Sequence, residues 1–127
     1  MIVIDTSSLM AILRDEPLKL ACLQALQQEP DLYISAATMV EATIVSHGKD
    51  VGGEMEALLA RVNPIIVDVT AETVRLAQEE FLRWGKGRHP ARLNFGDCFS
   101  YALAKELDCP LLFIGNDFSR TDITSVL

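Results

Sequence analysis

Four short apolar runs, Ile2-Val3-Ile4, Leu32-Tyr33-Ile34, Ile65-Ile66-Val67 and Leu111-Leu112-Phe113-Ile114, punctuate the chain, and helical stretches fill the intervals between them. An apolar run with no alternating polar face reads as a strand covered on both sides. Strands that alternate with helices are joined by crossovers, which calls for a parallel sheet with helices on both faces. The expected fold class is therefore α/β, a three-layer α/β/α domain around a parallel sheet of four or five strands, the fifth running from Ile123 to Leu127. No repeat or linker breaks the pattern, and 127 residues is the length of one ordinary domain, so residues 1–127 are read as a single unit.

Local signals place the helices. Thr6, Ser7 and Ser8 offer capping oxygens to a helix through Leu9–Leu13, and a second helix is expected from Pro17 to Gln28. Ser35-Ala36-Ala37 leads into a third, where Thr38-Met39-Val40-Glu41 has the form of a capping box. Gly48, Gly52 and Gly53 separate that helix from one over Glu54–Val62, which Asn63-Pro64 stops. Thr70 to Trp84 is strongly amphipathic, with Val74, Leu76, Ala77, Phe81 and Leu82 as its apolar side. Asn94 caps a last helix to Leu107, whose Cys98, Phe99, Tyr101, Ala102 and Leu103 predict burial on most sides.

Four acids punctuate the same frame. Asp5 and Asp117 follow the first and fourth strands, which puts both at one edge of a parallel sheet, where ligands bind. Glu41 and Asp97 fall in first turns of helices, where the dipole favours the charged form. Two carboxylates about 4–5 Å apart repel by roughly 3–4 kcal/mol at an effective dielectric near 20. A Mg²⁺ or Mn²⁺ ion reverses that sign, and such an ion deprotonates or orients water for phosphodiester hydrolysis without a protein nucleophile. Each acid also has a purely structural explanation: Glu41 as the partner of Thr38, Asp97 as a dipole-favoured helix-start residue, Asp117 as a turn residue. Asp5, at the end of a buried strand, is the hardest to explain that way.

Composition removes other classes. Cys22, Cys98 and Cys109 are widely spaced with no Cys-x-x-Cys pair, which suits buried reduced thiols rather than disulfides or a zinc site. No apolar run approaches the ~20 residues of a bilayer span, and the chain opens on Met1-Ile2-Val3-Ile4-Asp5 without a basic leader, so a cytoplasmic protein with no membrane contact is expected. A net charge of −7 argues against coating nucleic acid through the overall field. Local charge differs: Arg83, Lys86, Arg88 and Arg92, four of the eleven basic residues, lie between Phe81 and Gly96 with no acid among them. These four are the candidate contacts to a nucleic-acid phosphate backbone, with Trp84 or His89 as base-stacking rings.

In four stretches the chain resembles a PIN-domain ribonuclease of the VapC toxin family. They are Ile4-Asp5-Thr6-Ser7-Ser8; Ile34-Ser35-Ala36-Ala37-Thr38 leading to Glu41-Ala42; His89 through Cys98 with Ala102-Leu103-Ala104; and Leu112 through Ile123. The resemblance spans essentially the whole length. It implies a Mg²⁺- or Mn²⁺-dependent endoribonuclease, with Asp5, Glu41, Asp97 and Asp117 as the catalytic and metal-binding acids. It further implies that Thr6, Ser7 and Asn116 are supporting polar residues and Asp122 an outer acid. It implies a homodimer, silenced by a cognate antitoxin whose basic residue enters the acidic site. Met10, Leu13, Leu20 and Met39 are candidates for an apolar groove that would take the antitoxin.

Other functions fit less well. A receiver domain wants paired acids after the first strand and a lysine after the last, and a haloacid-dehalogenase-type phosphatase wants a second Asp where Ser7 stands. A PIN nuclease of RNA processing without an antitoxin, and a metal-binding module without turnover, remain as alternatives.

Overall fold

Strand β1 (Ile2–Ile4) sits inside a four-stranded sheet of order β3-β2-β1-β4, with β2 at Leu32–Ser35, β3 at Ile65–Val67 and β4 at Leu111–Leu112. Every pairing is parallel, with Val3 opposite Tyr33 on one side and Leu111 on the other. The coordinates are a computed structural model describing all residues from Met1 to Leu127. Helices α1 (Thr6–Leu13), α2 (Lys19–Gln28), α3 (Ala36–Gly48) and α4 (Gly52–Val62) follow β1 and β2; α5 (Ala71–Trp84) and α6 (Phe95–Leu107) follow β3.

Alternation along the strands divides the interior in two. Ile2, Ile4, Ile34 and Leu112 pack with Leu9, Cys22, Ala42 and Met55 of α1–α4. Val3 and Leu111 face the other way, onto Ala77 of α5 and Tyr101, Ala102 and Leu103 of α6. This is the three-layer arrangement that the apolar runs predict, since a strand covered on both faces needs apolar side chains at every position.

Chain order makes the functional edge. The chain steps from β1 outward to β2 and β3, then returns to place β4 on the opposite flank of β1. The crevice beyond the carboxyl ends of β1 and β4 is thus the point where strand order reverses, the usual ligand position in such sheets.

Several boundaries differ from the sequence expectation, each for a local reason. Helix α3 begins at Ala36 because the Ser35 side chain accepts from the Ala37 N–H. Thr38 is therefore not a cap; its hydroxyl is buried 3.3 Å from Ser100 Oγ, and Glu41 stands in the second turn rather than the first. Asp5, not a following hydroxyl, caps α1. β4 is only Leu111–Leu112 because the Ile114 N–H leaves the ladder to bond Ser7 Oγ at 3.0 Å. The expected fifth strand is reduced to one parallel bridge, Leu111 to Ser125. β3 lies at the sheet edge, and its Ile65 and Ile66 are 54% and 53% exposed. On α5 the inward face is Thr73, Ala77, Glu80 and Trp84, whereas Val74, Phe81 and Leu82 are exposed. No helix is long and apolar enough to cross a membrane.

Candidate active site

Asp5 ends β1 and is buried, 3% exposed. Its carboxylate is satisfied from three sides: Oδ2 accepts from Ser7 N–H at 3.1 Å and Ser7 Oγ at 2.6 Å, and Oδ1 accepts from Ser100 Oγ at 2.6 Å. Three such bonds hold one rotamer and offset the desolvation of a buried charge. Ser7 Oγ also receives the Ile114 N–H, so a single hydroxyl ties the loop after β4 to the end of β1.

Glu41 reaches the same cleft from α3. Its Oε1 accepts from Thr6 Oγ1 at 2.6 Å. Burial pushes its carboxyl up, against the pull of the Thr6 bond and with the help of the Asp5 charge. The chain makes room for it with Gly96: a Cβ there would stand 1.5 Å from Glu41 Oε2.

Asp97 is set by the start of α6. Asn94 accepts from the Asp97 N–H at 3.0 Å, and Asp97 Oδ2 accepts from the Asn94 N–H at 3.0 Å, a reciprocal box that locks both side chains. Burial pushes the Asp97 carboxyl up to about 7; the Asn94 N–H opposes this, and the charges of Asp5, Asp117 and Glu41 add to it. Asp117, exposed on the loop after β4, is raised by partial burial and by Asp5, while Arg92 draws it back down. Gly115 at φ +99 supplies the left-handed turn that swings this loop over the sheet edge.

All four acids line one cavity of about 370 Å³, together with Thr6, Ser7 and Asn94. They form a field of like charge rather than a preassembled coordination shell, since no three of them converge as a ready ligand group. The donors are all oxygen, which suits a hard divalent cation. Asp5, Glu41 and Asp97 are each held by hydrogen bonds, whereas Asp117 is exposed on its loop.

The remaining sequence candidates divide. Lys86, Arg92 and Asn116 line a second cavity that shares Asn94 and Asp117 with the acidic one. Arg83 instead lies over the Trp84 ring at 4.5 Å, and Arg88 Nε donates to the Leu82 carbonyl at 2.9 Å. Trp84 is half-buried with its edge against His89, ring centres 4.7 Å apart. Asp122 is displaced from the cleft altogether: it pairs with Lys105 at 2.8 Å and accepts from the Tyr101 hydroxyl. Met10 is buried in the core beside the cleft, while Leu20 is 73% exposed on α2.

A family model described as the PIN domain matches residues 2–123. The chain belongs to the PIN-domain family. Among its PIN relatives, a protein named Ribonuclease VapC from Mycolicibacterium smegmatis is 44% identical over 127 residues, covering 98% of each chain. Ribonuclease VapC30 of Mycobacterium tuberculosis is 42% identical, covering 98% of this chain and 97% of its own. Among solved PIN folds, Mycobacterium tuberculosis VapC20, described as a sarcin-ricin loop cleaving toxin, superposes with a TM-score of 0.79 at 19% identity, covering 99% and 98% of the two chains. The VapBC2 structure from Rickettsia felis, bound to a promoter DNA fragment, gives 0.71 at 14% identity, covering 98% and 96%. At such identities these two structures speak to the fold alone.

Within this PIN domain, four residues near the acids escape the sequence reading. Ser100 holds Asp5 from a buried position; a lone hydroxyl one turn beyond Asp97 on an apolar helix was its only signal. Arg14 and Lys49 lie on the rim of the acidic cavity, and Arg120 lines the cavity beside it. These three cations are scattered through the sequence, so no charge run marks them.

Proposed function

We propose that this protein is a divalent-metal-dependent endoribonuclease, a single PIN domain acting as the toxin of a type II toxin–antitoxin pair. The observation that carries the reading is the meeting of Asp5, Glu41, Asp97 and Asp117 in one cavity at the strand-order reversal. The near-full-length relatives named as VapC ribonucleases support it. In this reading Asp5 and Asp97 are the fixed ligands of Mg²⁺ or Mn²⁺, with Asp117 and Glu41 closing the set. Such an ion, when bound, lowers the pKa of a coordinated water and neutralises charge on the phosphate.

The chain's own residues do the positioning. Ser7 and Ser100 hold Asp5 against the repulsion of its neighbours, Thr6 orients Glu41, and Asn94 orients Asp97. The Thr6 and Ser7 hydroxyls in the cavity both donate to carboxylates, so this reading assigns the attack on phosphorus to water, with the 3′-oxygen leaving. A cytoplasmic location follows from the function, since RNA and antitoxin meet the protein there.

Partners follow from the surface. An acidic cavity is an electrostatic target for an inserted Arg of an antitoxin. Beside Glu41, Val40 and Ile44 lie one turn apart on α3, 60% and 67% exposed, an apolar stripe of the kind that accepts an amphipathic helix. The open edge of β3, with Ile65 and Ile66, suits a homodimer contact.

Incubation of the purified protein with total RNA in Mg²⁺, Mn²⁺ or EDTA tests the activity. Discrete fragments that appear with metal and vanish in EDTA and in the Asp5→Asn variant are expected. A folded protein that binds Mn²⁺ yet leaves RNA intact would favour the alternative of a binding module without turnover.

A further inference from the structure

The cavity next to the acids has the opposite chemistry. It encloses about 580 Å³ and is lined by Lys86, Arg92 and Arg120, with Asn94, Asn116 and Asp117 at the border it shares with the acidic cleft. None of its three cations is neutralised by an ion pair; the salt bridges of the molecule all lie elsewhere. In a chain of net charge −7, three cations without an ion-pair partner, set beside the acidic cleft, offer an approaching anion a local attraction that the overall charge opposes.

The cavity wall is also prearranged. Arg92 adopts a left-handed backbone, φ +57, which is unfavourable for a non-glycine residue. That conformation is enforced from both sides: Ala91 and Leu93 are buried, the Arg92 N–H bonds the His89 carbonyl at 3.0 Å, and Leu93 and Trp84 are tied at 3.0 Å. Anchored between two buried neighbours, Arg92 lines the cavity, whereas Arg83 of the same basic segment lies over the Trp84 ring.

We propose that Lys86, Arg92 and Arg120 form a phosphate subsite that holds the RNA backbone one step away from the phosphate being cleaved, with Asn94 and Asn116 as neutral donors at the junction. Arg120, which nothing in the basic run of the sequence suggests, is the residue this assignment adds. The inference rests on the ribonuclease reading and deepens it. Binding at the subsite secures a strand that the acidic cleft alone would repel, because backbone affinity comes from local neutralisation of phosphates.

Two measurements test it. Binding of a short fluorescent single-stranded RNA to Asp97→Asn protein is followed against salt, with Arg92→Gln, Arg120→Gln and Arg83→Gln each added to that background. Loss of one phosphate contact on a single strand should lower the slope of log affinity against log salt by about 0.7. Arg92→Gln and Arg120→Gln should each show this change, and Arg83→Gln should not. In the otherwise unaltered enzyme, Arg120→Gln should raise KM several-fold with kcat nearly unchanged. Equal slopes for all three variants, with cleavage intact, would overturn the subsite and leave the nuclease standing. The predicted slope differences in a protein that never cleaves RNA would overturn the nuclease and leave a strand-binding pocket.

Discussion

Gly96 and Asp97 concentrate the chemistry of the site in two adjacent residues. A Cβ at position 96 would stand 1.5 Å from Glu41 Oε2, its nearest contact, so Gly96→Ala must push Glu41 out of the cleft. The backbone there has no positive φ, so alanine also lowers the entropy of the unfolded chain without backbone strain. Gly96→Ala is therefore expected to cut RNA cleavage at least tenfold while leaving the melting temperature unchanged or higher; comparable losses in both would point to general misfolding. At Asp97 the folded carboxyl stands at about 7 against an ordinary 3.8, so the folded state binds this proton more tightly than the unfolded one. The stability it contributes is present below about pH 4 and is lost as pH rises towards 7. Metal-free protein should lose melting temperature over that interval, and Asp97→Asn should flatten the loss. Identical pH profiles for the two proteins would contradict the crowding of charge inferred here.

Among the elements, α6 carries more of the site than any other, presenting Asp97 to the cleft and Ser100 to Asp5 from beneath. Its start depends on Asn94, whose side chain is both cap and lock for Asp97. Asn94→Ala should cost about 1 kcal/mol, read by chemical denaturation, and Asn94→Ser should recover most of it. Much of this level was legible in the sequence. Asn94 as a cap, the burial of α6 and the strand end at Asp5 follow from local patterns, whereas Asp117 lies on a loop after a β4 that already ends at Leu112. Glu41 was legible as an acid near a helix start but with the wrong local partner, because Ser35 takes the cap three residues before Thr38. Ser100 was not legible, since its role depends on β1 lying directly above α6, a contact between residues 95 positions apart.

Across the whole molecule, the topology gathers acids from four distant segments into one cavity and cations from two into the next. A basic run in the sequence proved an incomplete guide to that surface: Arg83 lies over Trp84 at the end of α5, while Arg120 arrives from the far side of β4. Sequence clustering marks charge only when one loop supplies it, whereas a folded groove draws on several. The apolar runs, by contrast, specified the layers well, because covering a strand on both faces leaves its mark residue by residue. The same reading failed at β3, where an edge position leaves Ile65 and Ile66 in the open.

The most direct test of the four-carboxylate account is end-group analysis of one defined single-stranded RNA cut in Mg²⁺, with Asp5→Asn, Glu41→Gln, Asp97→Asn and Asp117→Asn run beside the unaltered protein. Water attack with the 3′-oxygen leaving predicts 5′-phosphate and 3′-hydroxyl ends, and at least a hundredfold less cleavage for Asp5→Asn and Asp97→Asn. Cyclic 2′,3′-phosphate ends, or full cleavage by those two variants, would contradict it.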